Sequence, residues 1–190
     1  MKLIIDSLFF IIIGFYTYQF ILVLLKMKQN ITFPMENEEL EDIRIYPQKS
    51  VNFPSYQEQK WSIISYGMIL LFVVSMYVVG VVTGLFNWSF YLLLFLPLSY
   101  SYSLLNMFFI VEDGIVGGSR FLPWRKIKSF DFVPIDINHR YYGHSKEVNG
   151  GYELKLKSGL HSISLIVTSS SLKEKISVIF NKYVSKRSEG

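Results

Sequence analysis

The hydrophobic pattern divides the chain into apolar blocks, one polar connection and a terminal region of alternating positions. Residues 61–111 contain no charged side chain. A bilayer core of ~30 Å needs ~20 apolar helical residues for each crossing. The pattern therefore predicts two membrane helices, over 62–84 and 89–110, joined by a tight turn at 84–88.

A further apolar block covers residues 3–25, and it is interrupted only by Asp6 and closed by Lys26 and Lys28. The block is longer than the apolar core of a signal peptide, and no small-residue cleavage site follows it. We therefore predict a retained transmembrane helix, the first of three. Asp6 lies near the outer end of this helix, where a carboxylate favours the helix N-terminus, so we expect it to act as a cap.

These blocks give four regions: a first transmembrane helix at 1–25, a cytoplasmic polar connection at 26–60, a transmembrane hairpin at 61–110 and a cytoplasmic domain at 111–190. Prolines break the connection, so we expect it to be extended apart from a short helix within 35–45.

The last region alternates apolar and polar positions, which is typical of half-buried antiparallel strands. A helix follows, and we interpret Ser171 and Glu174 as a capping box at its start. The predicted fold is three transmembrane helices plus a small α+β domain, in which antiparallel strands are closed by a C-terminal helix. The predicted strands cover 108–111, 115–118, 127–135, 152–157 and 163–167.

The distribution of basic residues predicts the orientation in the membrane. The chain has a net charge of +4, with five Lys or Arg in the connection, thirteen after Glu112 and none in the turn at 84–88. The positive-inside rule then puts the N-terminus and this turn outside and the C-terminal domain in the cytoplasm of a multi-pass cell-membrane protein. Trp61 and Trp88 suit the two interfacial aromatic belts.

Two short motifs follow the apolar blocks: VEDGIV at 111–116 and LPWRKI at 122–127. With the preceding membrane helices, they resemble the membrane-anchored PH-like domains of bacteria. The resemblance covers 108–184 and implies an antiparallel barrel closed by the C-terminal helix, although fewer strands are predicted than in a seven-stranded PH barrel. Some small Gram-positive members of similar architecture protect their producer against bacteriocins, so the resemblance implies a role in immunity.

Catalytic groupings are absent from the sequence pattern. There is no cysteine, which excludes thiol catalysis, disulfides and cysteine-based metal sites. His139 and His144 lie near Asp136, but their spacing fits neither a helical ligand pair nor a zinc knuckle, so we interpret this segment as a surface loop. We predict a protein that is not an enzyme, with no cofactor, no metal and no nucleic-acid partner.

Two sets of residues are candidates for contacts. Basic residues of the last region are candidate contacts for anionic lipid head groups or a partner, or else they form a solvated face that only fixes topology. Small and polar residues of the hairpin are candidates for helix packing. The basic set is Arg125, Lys126, Lys128, Lys155 and Lys157, and the packing set is Gly80, Gly84, Ser99, Ser103 and Asn106.

Three hypotheses about function follow. The first is a non-enzymatic membrane protein whose PH-like domain binds lipid, a membrane protein or a peptide toxin. The second is a transport or channel accessory subunit that uses the polar face of Ser99, Ser103 and Asn106. The third is a scaffold that assembles through Gly80 and Gly84. The sequence leaves the ligand and the oligomeric state open.

Overall fold

The computed structural model describes residues 2–84, 87–158 and 161–185. The helices are α1 Lys2–Lys26, α2 Glu38–Glu41, α3 Lys60–Thr83, α4 Trp88–Ser101, α5 Lys146–Asn149 and α6 Ser170–Ser185. The strands are β1 Ile31–Phe33, β2 Ile43–Arg44, β3 Phe108–Val111, β4 Gly114–Gly117, β5 Arg120–Pro123, β6 Ser129–Pro134, β7 Tyr152–Ser158 and β8 His161–Val167. A 3₁₀ turn covers Trp124–Lys126.

Within the described residues, α1 and α3 are the two helices that are long and apolar enough to cross a membrane. Only 17% and 22% of their most apolar windows are buried. The core helix of a soluble protein would bury most of this surface, whereas continuous exposed apolar surface indicates contact with an apolar surrounding or a partner. The chain therefore combines membrane-length apolar helices with a small antiparallel sheet domain.

The predicted third membrane helix over 89–110 is wrong in its extent, because α4 ends at Ser101. Its 14 residues span about 21 Å, which is less than the ~30 Å of a bilayer core. Pro97 inside α4 removes one helical hydrogen bond. The chain then turns, and from Phe108 it forms strand β3. Both faces of β3 are buried, so this strand is apolar throughout and resembles a continuation of the helix.

The strands form two antiparallel sheets of four, with the orders β1-β3-β4-β5 and β2-β8-β7-β6. One strand of each sheet comes from the polar connection. In β1, Ile31 pairs with Val111, and in β2, Ile43 pairs with Val167. The connection is therefore part of the folded domain, which we call the sheet domain and define as residues 27–59 and 102–185.

A hydrophobic core fills the space between the two sheets and α6. Its central side chains include Phe108, Ile115, Leu154, Leu165 and Phe180. An ion pair between Lys175 and Glu39 ties α6 to α2 on the surface of this core.

The capping box predicted at Ser171 and Glu174 is wrong. Helix α6 begins at Ser170, so Ser171 already lies in the first turn. Its hydroxyl is 2.7 Å from the hydroxyl of Ser169, and the backbone carbonyl of Ser169 accepts from the N–H of Lys173 at 3.1 Å. Ser169 therefore occupies the position before the helix that the sequence pattern assigned to Ser171.

The opposite face of the first sheet packs against the membrane-length helices. Phe109, Val111 and Val116 are fully buried there, in one cluster with side chains of α1, α3 and α4. The first sheet is thus a middle layer, with the domain core on one side and the helices on the other. This double burial fixes the sheet domain at the ends of α1 and α3.

Candidate functional site

The VEDGIV motif forms the turn between β3 and β4 and lies beside the end of α1. Lys26, the last residue of α1, forms an ion pair with Asp113 in this turn. Its ammonium nitrogen also lies 4.5 Å from the centroid of the Phe121 ring. Lys26 is only 8% exposed, and a buried ammonium needs such partners. The pair ties α1 to the first sheet.

A cleft of about 480 Å³ opens beside this ion pair, and we call it the α1 cleft. One wall is the last turns of α1, and the opposite wall is β5 with the 3₁₀ turn. Two of the predicted contacts, Arg125 and Lys126, line it and are exposed. Within the described residues, neither has a carboxylate at ion-pair distance. The residues that line the α1 cleft are Tyr18, Gln19, Leu22, Lys26, Asp113, Phe121, Pro123, Trp124, Arg125 and Lys126.

The other predicted basic contacts lie elsewhere. Lys155 and Lys157 line a second cleft, of about 450 Å³, on the outer face of the second sheet. Lys128 is exposed and precedes β6, and its backbone N–H donates to the carbonyl of Lys157 at 2.8 Å. The structure therefore places two candidates in each cleft and Lys128 in neither, and it does not bring the five together on one surface.

The second cleft contains a buried carboxylate that the sequence pattern does not reveal. Glu153 of β7 lies on the outward-facing side of its strand, yet its side chain is fully buried. His139 Nε2 lies 2.8 Å from one carboxylate oxygen and Lys155 Nζ lies 3.1 Å from the same oxygen. Arg140 and the Ser164 hydroxyl both donate to the other oxygen.

Burial alone would raise the pKa of Glu153. Hydrogen bonds from Ser164, Lys155, His139 and Arg140 outweigh this effect and hold the pKa below its ordinary value. The carboxylate is therefore ionised near neutral pH and anchors the segment 136–151 to the second sheet.

The geometry of this cluster is that of an ion-pair network. The Ser164 hydroxyl donates to Glu153 and not to His139, so no nucleophile and base are paired in the manner of a hydrolase. Asp136 accepts from the backbone N–H of Asn138 at 3.0 Å and shapes a turn, while His144 is exposed. Within the described residues, no three metal-binding side chains come together. The predicted surface loop is therefore attached through His139 and Arg140.

The two glycines of the hairpin have separate roles. Gly80 is buried within the single chain. Gly84 adopts a left-handed conformation with φ of 66°, and its N–H donates to the carbonyl of Gly80, so it ends α3. Gly84 therefore ends the helix, while Gly80 packs within the chain.

The predicted polar face of Ser99, Ser103 and Asn106 is wrong, because α4 ends before two of these residues. The hydroxyls of Ser99 and Ser103 each donate at 2.8 Å to a carbonyl three residues earlier. The Asn106 amide donates at 2.8 Å to the carbonyl of Ser50 and joins the connection to the chain before β3. The donors of these three side chains are therefore used within the chain, and the three residues do not share one helical face.

Asp6 is not the helix cap that the sequence predicts. Its carboxylate accepts from the Tyr91 hydroxyl of α4 at 2.6 Å. Its backbone carbonyl accepts from the Tyr77 hydroxyl of α3 at 3.0 Å. Asp6 therefore joins all three apolar helices at the end away from the sheet domain.

Of these arrangements, the α1 cleft is the one that presents unpaired positive charge beside apolar helix surface. The second cleft also carries excess positive charge, because Glu153 faces both Arg140 and Lys155, but no residue of α1 or α3 lines it. Asp6 bonds within the helix bundle. Comparison of the chain with known protein families, with curated proteins and with solved structures finds no match.

Proposed function

We propose that this chain is a non-enzymatic, multi-pass membrane protein of the bacterial cell membrane, and that its sheet domain is a PH-like binding module held against the inner membrane surface. The burial of the first sheet on both faces carries this proposal. Phe109 and Val116 pack on the helices while Phe108 and Ile115 pack in the domain core. A domain fastened in this way meets its ligand at the membrane.

The arrangement of charge supports a cytoplasmic position for the sheet domain. Lys26 and Lys60 lie at the ends of α1 and α3 that adjoin the domain. Trp61, 77% exposed, lies at the same level, as an interfacial aromatic side chain would. The side chain of Trp88 lies outside the described residues. In this arrangement α4, together with the partly buried residues 102–104 at the membrane face of the sheet domain, makes the third crossing.

Labelling of single cysteines tests this topology, and the natural chain provides a cysteine-free background. We expect Ser89→Cys, at the exposed start of α4, to react with a membrane-impermeant maleimide in intact cells. Ile137→Cys, in a sheet-domain segment where residue 137 is 75% exposed, should react only after the cells are opened. Reaction of both positions, or of Ile137→Cys alone, in intact cells would contradict the proposed orientation.

The resemblance to bacterial PH-like proteins, some of which are bacteriocin immunity proteins, implies a peptide toxin as the ligand class. The fold supports this proposal because two sheets closed by α6 enclose the core, with β1 and β2 from the connection supplying strands that the C-terminal region lacks. We propose that the protein protects its producer from a membrane-active peptide.

Protection can be measured by expressing the chain in a toxin-sensitive strain. We expect the concentration of peptide that inhibits growth to rise about tenfold or more. A matched control strain should express Phe108→Ala, which we expect to disrupt the domain core. Equal sensitivity of the protein-expressing strain and the empty-vector strain, across a panel of membrane-active bacteriocins, would exclude the immunity role.

A further inference from the structure

The α1 cleft has both a cationic and an apolar surface. One end carries the cations Lys26, Arg125 and Lys126, which face a single carboxylate, Asp113. The other end is lined by Tyr18 and Leu22, which belong to the apolar part of α1. The cleft therefore has an excess of positive charge at one end and an apolar wall at the other.

The position of the cleft along α1 matches the depth of a phospholipid head group. Tyr18 lies eight residues before Lys26, which is about 12 Å along the helix. The head-group layer on each side of a bilayer is about 5 to 8 Å thick. A phosphate beside Arg125 and Lys126 would then have its glycerol and first methylene groups beside Leu22 and Tyr18.

Two buried polar atoms of the lining residues have no hydrogen-bond partner in the part of the chain that the structure describes. They are the indole Nε1 of Trp124, a donor, and the amide Oε1 of Gln19, an acceptor. A buried polar atom without a partner costs about 1 to 3 kcal/mol, so native proteins rarely retain one without a reason. Both atoms are closed to solvent, and the Trp124 ring packs on Phe180 and Tyr183 of α6. They add polar character to the lining, and the case for a ligand rests on the charge and the apolar wall of the cleft.

From these observations we propose that the α1 cleft binds one anionic phospholipid of the inner leaflet. The proposal rests on the topology given under Proposed function and adds the ligand class of its domain. The apolar wall of Leu22 and Tyr18 favours a lipid over a free phosphate ion, which would need only the cationic end. Arg125 and Lys126 hold the phosphate, while Lys26 stays tied to Asp113 and fixes the helix wall of the cleft.

Quenching of Trp124 fluorescence measures this binding directly. The full chain with Trp61→Phe and Trp88→Phe keeps Trp124 as its single tryptophan. In phosphatidylcholine vesicles, we expect added phosphatidylglycerol, brominated near the head group, to quench Trp124 at mole fractions where brominated phosphatidylcholine does not. Arg125→Gln with Lys126→Gln should raise the phosphatidylglycerol needed for half-quenching about tenfold to thirtyfold.

A matched control separates a defined site from general attraction to the membrane. Lys49→Gln with Lys146→Gln removes the same charge from exposed residues that belong to neither cleft and should leave half-quenching unchanged. The lipid site would be overturned if both double variants needed equally more phosphatidylglycerol for half-quenching. Equal quenching by the two brominated lipids would also overturn it, as would competition by millimolar inorganic phosphate.

Native mass spectrometry of the natural chain provides a second measurement if the single-tryptophan variant does not fold. One phosphatidylglycerol should remain bound to the natural chain and be lost from the Arg125→Gln, Lys126→Gln chain. Absence of bound lipid in both chains would overturn the proposal. Because Ser89→Cys and Ile137→Cys report the topology separately, a failure of lipid binding is distinguishable from a failure of the proposed orientation.

Discussion

Replacing Phe109 with alanine is expected to loosen the sheet domain from the membrane-length helices, whereas the same change at its neighbour Phe108 is expected to destabilise the domain itself. Both side chains are fully buried in β3, but they point to opposite faces of the first sheet. Truncation of a buried Phe typically costs about 3 to 5 kcal/mol through lost burial and the cavity left behind. The two variants lose the same atoms, so they differ only in which interface is weakened.

Hydrogen exchange of the full chain in detergent micelles distinguishes the two outcomes. In Phe109→Ala, we expect faster exchange in β3–β5 and the last turns of α1, with β7 and α6 still protected. In Phe108→Ala, exchange should rise in β7, β8 and α6 as well, because they share the domain core. The same exchange pattern in both variants would show that helices and domain form one cooperative unit, contrary to the layered arrangement.

The elements that the sequence predicts correctly are those in which local periodicity and burial agree. The alternation around Leu154 and Leu156 predicts β7, because one face of this strand meets the core. Helix α6 is likewise predicted from its helical spacing, although its start is displaced from Ser171. The apolar helices α1 and α3 follow from length and composition alone.

The prediction errors arise where an element is determined by contacts distant in sequence and not by its own hydrophobic pattern. The strand predicted at 108–111 is confirmed as β3. Because both faces of β3 are buried, its apolar sequence also extended the predicted membrane helix to residue 110, beyond the end of α4. Strands β1 and β2 have three and two residues, too few to show any period. Their place at the sheet edges depends on pairing with β3 and β8, which are distant in sequence.

The candidate site shows the same division. The basic cluster of Arg125 and Lys126 is evident from the sequence, but the wall that makes it a cleft comes from α1, a hundred residues earlier. Glu153 alternates as a solvent-facing residue would, and its burial depends on a loop folding over the strand. His139 and Arg140 lie in this loop, but the sequence does not show that they pair with Glu153 until the fold is known.

Replacing Glu153 with glutamine is expected to destabilise the sheet domain by about 2 to 3 kcal/mol at pH 7, since it removes the charge that holds Arg140, Lys155 and His139. Arg140 and Lys155 are partly exposed, so water can solvate their charges in the variant. The loss of stability is therefore smaller than for a buried cation left without any partner. Thermal unfolding in micelles measures the change. Glu174→Gln, the same substitution at an exposed residue of α6, should alter stability by less than about 0.5 kcal/mol.

The acid dependence of this difference identifies its electrostatic origin. Because the pKa of Glu153 is lowered by folding, its contribution is fully present above the unfolded-state pKa of about 4.3 and is lost as pH falls through the lower folded-state value. The gap in stability between the natural chain and Glu153→Gln should therefore still be present at about pH 5 and should shrink below about pH 4. A gap that stays constant down to pH 3 would mean that shape and hydrogen bonding, and not the carboxylate charge, attach the segment 136–151 to the second sheet.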